Sequence, residues 1–366
     1  MSKPVQHQHL PTQWPAREVL REKEQFWTPD WVADAMIRYV SANTDFVFDP
    51  ATGRGAFLRA LRRLDTPKIA FYGTDIDPTV LSDEVYNQAD STVELRDFIK
   101  NPPKRRFRAI VANPPYIRHH RLDEEIKLLL KSISVQTMGF AIDGRAGYHI
   151  YFLIQALSML ESGGRLAFIM PADSCEGTFA PKLRQWIGEN FCLKGVATFE
   201  QVATPFPGVD TNAVLFFLEK SPPQPQVAWV RVSQPYTTEL ADFVHSDFTD
   251  VSLSTLSVEH RQLKEALRTG LSRPQQGEEG HRYHLHDFAT VMRGIAIGAN
   301  EFFFLTHQQA HALQIPTQYL KNAVGRTRDI PGDCFTNDHL TELDLAGRPT
   351  LLLSLTEADG LNPIIE

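Results

Sequence analysis

The sequence predicts an α/β fold in which a doubly wound, Rossmann-like sheet is followed by a smaller C-terminal domain. From Phe46 onward, short β-rich runs alternate with helical patterns, which is typical of parallel strands joined by helices. With 366 residues, 42% of them hydrophobic, the chain can form a large core and a second unit. Polar stretches rich in proline and glycine interrupt the later part. We expect a first domain at 1–270 and a second at 281–366.

Six strands are predicted from β-rich composition: Phe46–Phe48, Ile69–Thr74, Phe107–Ala112, Arg165–Met170, Gly195–Phe199 and Ala213–Leu218. After Gly147, the apolar residues 150, 153, 154, 157 and 160 have helical spacing, and Gly163-Gly164 is expected to end that helix. Ser221–Gln226 and Ser272–Gly280 are interpreted as linkers, with the domain boundary near the second. The segment after His281 has no assignable pattern, and its end lacks an obvious closing element, so we expect this domain to be incomplete.

Composition excludes some classes of protein and leaves others open. No apolar run approaches the roughly 20 residues of a membrane span, so we expect a cytoplasmic protein. The three cysteines are far apart, and His281–His286 lacks an indicated fourth ligand, so no metal site is predicted. The net charge of -7 does not exclude DNA, because phosphate binding depends on a local basic face.

A glycine-containing turn at Asp49–Phe57 follows the first strand and opens a helix. Gly53 and Gly55 allow the backbone to approach a ligand closely, which suits a cofactor that contains a nucleoside. The third glycine of the dinucleotide-binding pattern is absent, so a purely structural turn is the alternative.

Acidic residues follow the next strands. Asp75 lies about 20 residues beyond the glycines, where a carboxylate accepts hydrogen bonds from ribose hydroxyls, and Ile76 is expected against the adenine of the cofactor. Asp97 and Phe98 offer an acceptor and a ring for the same base, although a solvated loop is the alternative for Asp97.

The motif Asn113-Pro114-Pro115-Tyr116 directly follows the strand Phe107–Ala112, at the edge where α/β sheets bind ligands. Both prolines fix φ and lack an N–H, so this turn presents a rigid set of oxygen acceptors. An aromatic amine is a poor nucleophile, and acceptors that draw its N–H bonds out of plane promote its attack. Asn113 and the Pro114 carbonyl are the expected acceptors, and Tyr116 is expected to stack on the target base.

Together these motifs resemble the N6-adenine DNA methyltransferases of the gamma arrangement, in which the cofactor motifs precede the catalytic motif and the target-recognition domain comes last. Gln25–Pro29 is similar to the opening motif of this family, with Thr28 as helix N-cap and Pro29 at the first helical position. The resemblance implies an S-adenosylmethionine-dependent methyltransferase domain and a C-terminal DNA target-recognition domain. It also implies base flipping, double-stranded DNA as substrate, and a restriction-modification or related defence system with partner subunits.

The resemblance also implies roles for individual residues. Asn113, Pro114, Pro115 and Tyr116 would hold the target base, and Phe206 would cover its other face from the hairpin Val202–Asn212. The implied cofactor-binding residues are Thr28, Pro29, Asp49, Pro50, Ala51, Gly53, Gly55, Asp75, Ile76, Asp97 and Phe98. Thr52 and Arg54 depart from the family pattern, in which these positions often carry Cys and Ser.

DNA contacts are expected from Arg118, His119, His120 and Arg121, directly after the motif, and from Lys104–Arg108; solvated loops are the alternative for both. The run Val291–Asn300 is similar to the start of recognition domains in this group. Four alternatives to N6-adenine methylation stay open: N4-cytosine DNA methylation, RNA-base methylation, protein-glutamine methylation, and a DNA-specificity module without catalysis. The oligomeric state and the target sequence are not predicted.

Overall fold

The computed structural model describes residues 27–64, 69–80, 83–207, 212–249, 253–272, 288, 300–326, 329–330 and 334–355. These residues form two compact units, one containing 27–272 and the other containing 300–355.

The first unit is built on one sheet of nine strands in the order β3-β2-β1-β4-β5-β7-β6-β8-β9. The strands are β1 Phe46–Asp49, β2 Ala70–Asp75, β3 Ser91–Leu95, β4 Phe107–Ala112, β5 Leu160–Pro171, β6 Cys192–Phe199, β7 Ala213–Glu219, β8 Gln226–Val232 and β9 Leu256–Gln262. All six strands expected from the sequence are present, and β3, β8 and β9 are additional.

The sheet is mixed, whereas the sequence predicted a parallel one. Strands β1 to β5 pair in parallel, but β7 is antiparallel to both β5 and β6, and β9 is antiparallel to β8. A parallel partner requires a crossover to the opposite end of the sheet. β7 starts at the same end of the sheet at which β6 ends, so the connection 200–212 makes no crossover. β7 therefore runs antiparallel to β6.

Seven helices accompany this sheet in the described residues of the first unit: α1 Asp30–Val40, α2 Ala56–Arg62, α3 Glu124–Met138, α4 Tyr148–Ser158, α5 Ala180–Asn190, α6 Glu239–His245 and α7 Leu263–Thr269. Short 3-10 turns occur at Glu84–Tyr86, His119–Arg121, Ala172–Cys175 and Gln201–Ala203.

Core residues cover both faces of the sheet. Neighbouring strand residues alternate between two buried clusters: Phe48 and Ile110 belong to one, and Val47 and Val111 to the other. Strands buried on both faces are typical of sheets that have helices on both sides. Because both faces are covered, catalytic groups on such a sheet are expected at the ends of the strands.

The helix predicted after Gly147 is correct in position but not in its end. It stops at Ser158, and Gly163 and Gly164 lie inside β5. A side chain at Gly164 would meet the Phe107 and Arg108 carbonyl oxygens at 3.1 and 3.0 Å. This glycine thus permits the close approach of β5 to β4, where their register shifts, and does not terminate a helix.

The second unit contains a three-stranded antiparallel sheet, β10-β12-β11, with helices beside it. Its elements are α8 Asn300–Phe303, β10 Phe304–Leu305, α9 His307–Ala312, β11 Leu320–Asn322, α10 Asn337–Leu345 and β12 Leu351–Leu353. Leu305, Ala310 and Leu351 form its small buried cluster, and Arg348 pairs with Asp329 at 2.5 Å.

Within the part of the chain that the structure describes, no helix has both the length and the apolar character needed to cross a bilayer.

Candidate active site

The candidate site lies at the carboxyl edge of the sheet, where the strand order reverses between β1 and β4. In open α/β sheets this reversal creates a crevice in which ligands bind. The edge collects Asp49 from the end of β1, Asp75 from the end of β2 and Asn113 from the residue after β4. Because β7 is reversed, the connection that carries Phe206 also reaches this edge.

The glycine-containing turn is held by hydrogen bonds to its backbone. Gly53 and Gly55 have φ values of +48° and +73°, in the region that favours glycine. The Gly53 N–H donates to Asp75 Oδ2 at 2.8 Å, and the Tyr86 hydroxyl donates to the carbonyls of Gly53 and Thr52 at 2.9 and 3.2 Å. Tyr86 is a residue that sequence reasoning missed, since no motif marks it, yet it braces this turn.

Asp49 is completely buried beside the same turn. Its Oδ1 accepts the Ala51 N–H at 3.0 Å, whereas its Oδ2 has no hydrogen-bond partner among the described residues. Burial raises the pKa of Asp49 well above its usual range; the Ala51 N–H opposes this shift and the charge of Asp75 adds to it. A buried carboxylate oxygen without a donor fits a cationic ligand such as an α-ammonium group.

Asp75 and Ile76 lie next to this turn at the end of β2. Asp75 Oδ1 accepts the Asp77 N–H at 2.9 Å, so each carboxylate oxygen takes one backbone donor and retains a second lone pair. The Ile76 side chain is 69% exposed. An oriented carboxylate beside an exposed apolar side chain suits a ribose and its base.

Asp97 lies in the turn after β3, whereas the ring of Phe98 is buried in the core. Asp97 Oδ1 accepts the Ile99 and Lys100 N–H groups at 2.9 and 3.0 Å, which fixes the turn after β3. Phe98 is 1% exposed and packs on Phe48 and Phe152, with ring centroids 5.8 and 5.2 Å apart. The expectation that this ring stacks on the cofactor adenine is therefore wrong, because the ring is packed inside the apolar core.

Tyr148 is an aromatic side chain near Asp97 that the sequence argument did not single out. It is partly buried, and the charge of Asp97 contributes, after burial, to a raised Tyr148 pKa. Its ring meets that of Phe152 edge to face at 5.3 Å. The available signal was its place as the first residue of the helix after Gly147.

The Asn113 amide is oriented by Thr28. Asn113 Nδ2 donates a hydrogen bond to Thr28 Oγ1 at 3.0 Å. This bond fixes the orientation of the amide, so that Asn113 Oδ1 points away from Thr28. Thr28 was expected to cap the following helix, but α1 begins at Asp30 with Pro29 as its N-cap residue, and no side chain caps it. Thr28 and Pro29 therefore each lie one position earlier relative to the helix than expected. The Thr28 hydroxyl binds the Asn113 amide and does not cap α1.

The prolines and rings of the motif form the other wall of the site. Pro114 is buried and Pro115 half-buried. Tyr116 and Phe206 are 9% and 5% exposed, and their rings meet edge to face with centroids 6.3 Å apart and planes at 76°. A base between two parallel rings needs them about 7 Å apart, so this arrangement is closed and the two rings must separate to hold one.

His149 supports Tyr116 and was not predicted. Its ring lies 5.7 Å from the Tyr116 ring, and its Nε2 is 2.6 Å from Ser174 Oγ. Burial lowers the pKa of His149 to about 3, so the imidazole is neutral at physiological pH. Burial likewise raises the pKa of the Tyr116 hydroxyl. This wall of the site is thus neutral and aromatic.

The two basic stretches lie at opposite ends of β4. Arg118 is exposed and leads directly from the motif into the 3-10 turn His119–Arg121, where His120 and Arg121 are also exposed. Slight desolvation, and the charges of His119, Arg118 and Arg121, lower the pKa of His120. Lys104–Arg108 enters β4 at its amino end, so the structure does not bring this stretch to the edge that carries Asn113.

Several sequence features lie outside the described residues: 25–26 of the opening motif, 208–211 of the hairpin, 281–286 and 291–299. Among the residues that are described, no group of three or more His, Cys, Asp or Glu side chains is arranged to hold a metal ion.

Two family models match the chain. Residues 60–206 match the Eco57I restriction-modification methylase, and residues 272–363 match the C-terminal domain of the Type II methyltransferase M.Eco57I. The chain is 21% identical to the Type II methyltransferase M.AccI of Acinetobacter calcoaceticus, over 92% of this chain and 63% of that protein. It is 25% identical to the Type II methyltransferase M.XamI of Xanthomonas campestris pv. amaranthicola, over 83% of this chain and 57% of that protein. The chain therefore spans about three fifths of the length of these two relatives.

The fold agrees with a solved methyltransferase. The modification methyltransferase subunit of a type I restriction-modification system from Streptococcus thermophilus superposes with a TM-score of 0.52 at 15% identity, covering 70% of this chain and 62% of that one. The predicted methyltransferase fold and the resemblance to restriction-modification methyltransferases are confirmed. S-adenosylmethionine is the cofactor that family and fold imply, and the unpartnered Asp49 oxygen, the Gly53 turn and Asp75 fit its amino acid and ribose parts.

Proposed function

Since the chain is a relative of the restriction-modification DNA methyltransferases, we propose that it transfers a methyl group to the N6 amino group of an adenine flipped out of double-stranded DNA. One observation carries the proposal: the Asn113 amide is oriented by Thr28 at the carboxyl edge of β4, beside the Asp49 and Asp75 side of the crevice. The same edge carries the aromatic pair Tyr116 and Phe206.

The residues divide the work of the reaction. S-adenosylmethionine, when bound, supplies an electrophilic methyl group on a positively charged sulfur. Asn113 Oδ1 and the Pro114 carbonyl oxygen accept the two N–H bonds of the adenine amine, which localises the nitrogen lone pair for attack. The N–C bond would form as the methyl–sulfur bond breaks, with S-adenosylhomocysteine as the leaving group, and one of the two protons would then leave to solvent. Thr28 keeps the amide of Asn113 in the orientation this requires.

Tyr116 and Phe206 are proposed to hold the flipped base between them after their rings part. Flipping costs a few kcal/mol of lost stacking and pairing, and stacking on an aromatic side chain returns about 1–3 kcal/mol per base. Arg118, His120 and Arg121 are exposed just beyond the motif and are proposed, with His119, to contact phosphates.

The boundaries and setting of this activity are also proposals. We propose 1–270 as the catalytic domain and 281–366 as a DNA target-recognition domain, supported by the match of 272–363 to the M.Eco57I C-terminal domain. A restriction-modification or related defence system is the proposed setting, supported by the named relatives. Because the substrate would be chromosomal DNA, the proposed location is the cytoplasm.

The test is methyl transfer from labelled S-adenosylmethionine to separate DNA, RNA and protein pools. We expect label in DNA, and nucleoside mass spectrometry should identify N6-methyladenine. Asn113→Ala should lose at least about 100-fold of the rate, a loss of the size seen when a transition-state hydrogen-bonding group is removed. The matched control is Asn190→Ala, at the exposed end of α5, which should retain the rate.

Each other result rejects a specific part of the proposal. N4-methylcytosine would reject the choice of adenine, and label only in RNA or protein would reject DNA as the substrate. Equal label from wild type and Asn113→Ala would reject the role of Asn113. Cofactor binding without any transfer would indicate a module without catalysis.

A further inference from the structure

The guanidinium of Arg54 lies over the indole of Trp27, with its central carbon 3.9 Å from the ring centroid. Trp27 is partly buried and Arg54 is exposed. No carboxylate pairs with the Arg54 side chain among the described residues, and the Arg54 backbone carbonyl accepts from Arg59 Nη1 at 2.5 Å. Within the described part of the chain, Arg54 thus lies on an aromatic ring without an anionic partner.

This contact joins the two segments that border the cofactor side of the crevice. Arg54 lies between Gly53, whose N–H binds Asp75, and Gly55. Trp27 directly precedes Thr28, whose hydroxyl binds the Asn113 amide. The Arg54–Trp27 pair therefore connects the glycine-containing turn to the segment before α1, with Asp75 on one side and Asn113 on the other.

The charges in this region complement an α-amino acid. Asp49, at the start of the same turn, has a buried carboxylate oxygen without a hydrogen-bond donor, which suits an ammonium group. An α-amino acid carries a carboxylate two bonds from its ammonium nitrogen. Arg54 supplies a cation five residues along this short turn.

We propose that Arg54, held against Trp27, binds the α-carboxylate of the methionine part of the cofactor while Asp49 receives its ammonium group. This inference rests on the proposed function, because it assumes that the crevice binds S-adenosylmethionine. It assigns a cofactor-binding role to one of the two residues at which the glycine-containing turn departs from its family pattern.

Arginine suits this place better than lysine for a physical reason. A guanidinium stacks its flat face on an aromatic ring and still directs N–H donors outward in its own plane. Two parallel N–H groups match the two oxygens of a carboxylate. Lysine at position 54 would keep the charge and lose both the stacking and the paired donors.

The test compares two ligands that differ only in the carboxylate. Titration calorimetry on the full chain would measure S-adenosylhomocysteine and its decarboxylated amine, for wild type, Arg54→Ala and Arg54→Lys. Arg106→Ala is the matched control, because Arg106 is exposed at the amino end of β4. Fluorescence in wild type and Trp27→Phe provides a second readout, since Trp27 itself should report the ligand.

Wild type and Arg106→Ala should bind S-adenosylhomocysteine about 10- to 30-fold more tightly than the amine, as expected for a charged hydrogen-bonded pair. In Arg54→Ala that preference should disappear while the affinity for the amine stays unchanged, and Arg54→Lys should lie between. The loss of preference is a coupling between one side chain and one ligand group. A merely structural arginine would not produce it.

The opposite results are equally clear. Equal weakening of both ligands in Arg54→Ala would overturn the inference in favour of a structural role for the turn. Unchanged binding of both ligands, with weakened binding of duplex DNA, would assign Arg54 to a phosphate and also overturn it. If wild type bound neither ligand, the proposed function itself would fail; if it bound both equally, only the carboxylate contact would fail.

Discussion

The proposed cofactor side and the proposed target-base side of the crevice share one sheet edge but are built differently. On the cofactor side, Asp49 and Asp75 present oxygen acceptors around a turn that backbone hydrogen bonds hold in place. On the target-base side, Tyr116, His149 and Phe206 are buried and their rings contact one another. The first side is preformed and polar, whereas the second is a closed aromatic cluster that would have to open to admit the proposed base. Substitutions on the two sides should therefore affect cofactor binding and methyl transfer separately.

The largest expected effect on cofactor binding is that of Asp49→Asn. Loss of a charged partner for the ligand ammonium should weaken S-adenosylhomocysteine about 100-fold, within the range for charge-assisted hydrogen bonds. The control is Asp45→Asn, which removes an exposed carboxylate just before β1, at the other end of that strand. Calorimetry measures both, and unchanged affinity in Asp49→Asn would place the ammonium elsewhere.

The same variant has a pH-dependent effect on stability. Burial raises the pKa of Asp49 in the folded state, so the folded state retains this proton longer than the unfolded state does. The contribution of the Asp49 proton to wild-type stability therefore declines as pH rises above about 4, the pKa of an unfolded aspartate. Ligand-free Asp49→Asn should unfold at a higher temperature than wild type at pH 7, and the gap should shrink toward pH 4. A constant gap would contradict the burial of a charge.

Tyr116 variants test the target-base side with an intermediate effect. Tyr116→Ala should reduce kcat/KM for DNA about 10- to 100-fold, because stacking on a base is worth about 1–3 kcal/mol. Tyr116→Phe keeps the ring and should lose less than about fivefold, since only a neutral hydrogen-bonding group is removed. Both variants should bind S-adenosylhomocysteine as wild type does. A parallel loss of cofactor affinity in Tyr116→Phe would break the separation of the two sides.

Thr28 lies at the boundary between the two sides of the crevice. A variant with a smaller expected effect tests to which side it belongs. The family resemblance places it with the cofactor, but its hydroxyl accepts from the Asn113 amide. Thr28→Val should lower kcat about fivefold, corresponding to one lost hydrogen bond of about 1 kcal/mol, with cofactor affinity unchanged. Thr28→Ser keeps the hydroxyl and should retain the rate. If Thr28→Val instead weakened S-adenosylhomocysteine at constant kcat, Thr28 would belong to the cofactor side.

The polar acceptors of the crevice follow from the sequence better than the supporting aromatic residues do. Asp49, Asp75 and Asn113 each end or follow a strand, and parallel strands bring their carboxyl ends to one edge. Chain position alone therefore placed them together. Tyr86 and His149 lie in a short 3-10 turn and a helix, with no periodic or motif signal, so only the folded structure brings them to the site.

The direction of side chains was the part least accessible from the sequence. Phe98 occupies the expected turn, but packing on Phe48 and Phe152 turns its ring into the core. Gly163 and Gly164 have the sequence pattern of a helix end, yet they serve strand pairing. The reversal of β7 depends on where the connection 200–212 ends, which local propensity does not encode.

His149 has the smallest expected effect on methyl transfer, and it tests whether the aromatic side is truly dry. Burial lowers its pKa to about 3, against about 6.5 in an unfolded chain. As pH falls below 6.5, the unfolded state takes up a proton that the folded state does not, so stability falls by at most about 1.4 kcal/mol per pH unit. His149→Phe lacks this titration, and the stability of wild type relative to the variant should therefore decline between pH 7 and pH 4.

His149→Phe loses the contact with Ser174 but keeps a ring beside Tyr116. Its kcat at pH 7.5 should therefore fall no more than about threefold, a smaller loss than that of a full neutral hydrogen bond. Denaturant unfolding at four pH values measures the first effect, and steady-state methylation measures the second. A pH-independent stability difference would mean that water or charge reaches His149. In that case the aromatic side would already be open before DNA binds, and the contrast with the cofactor side would disappear.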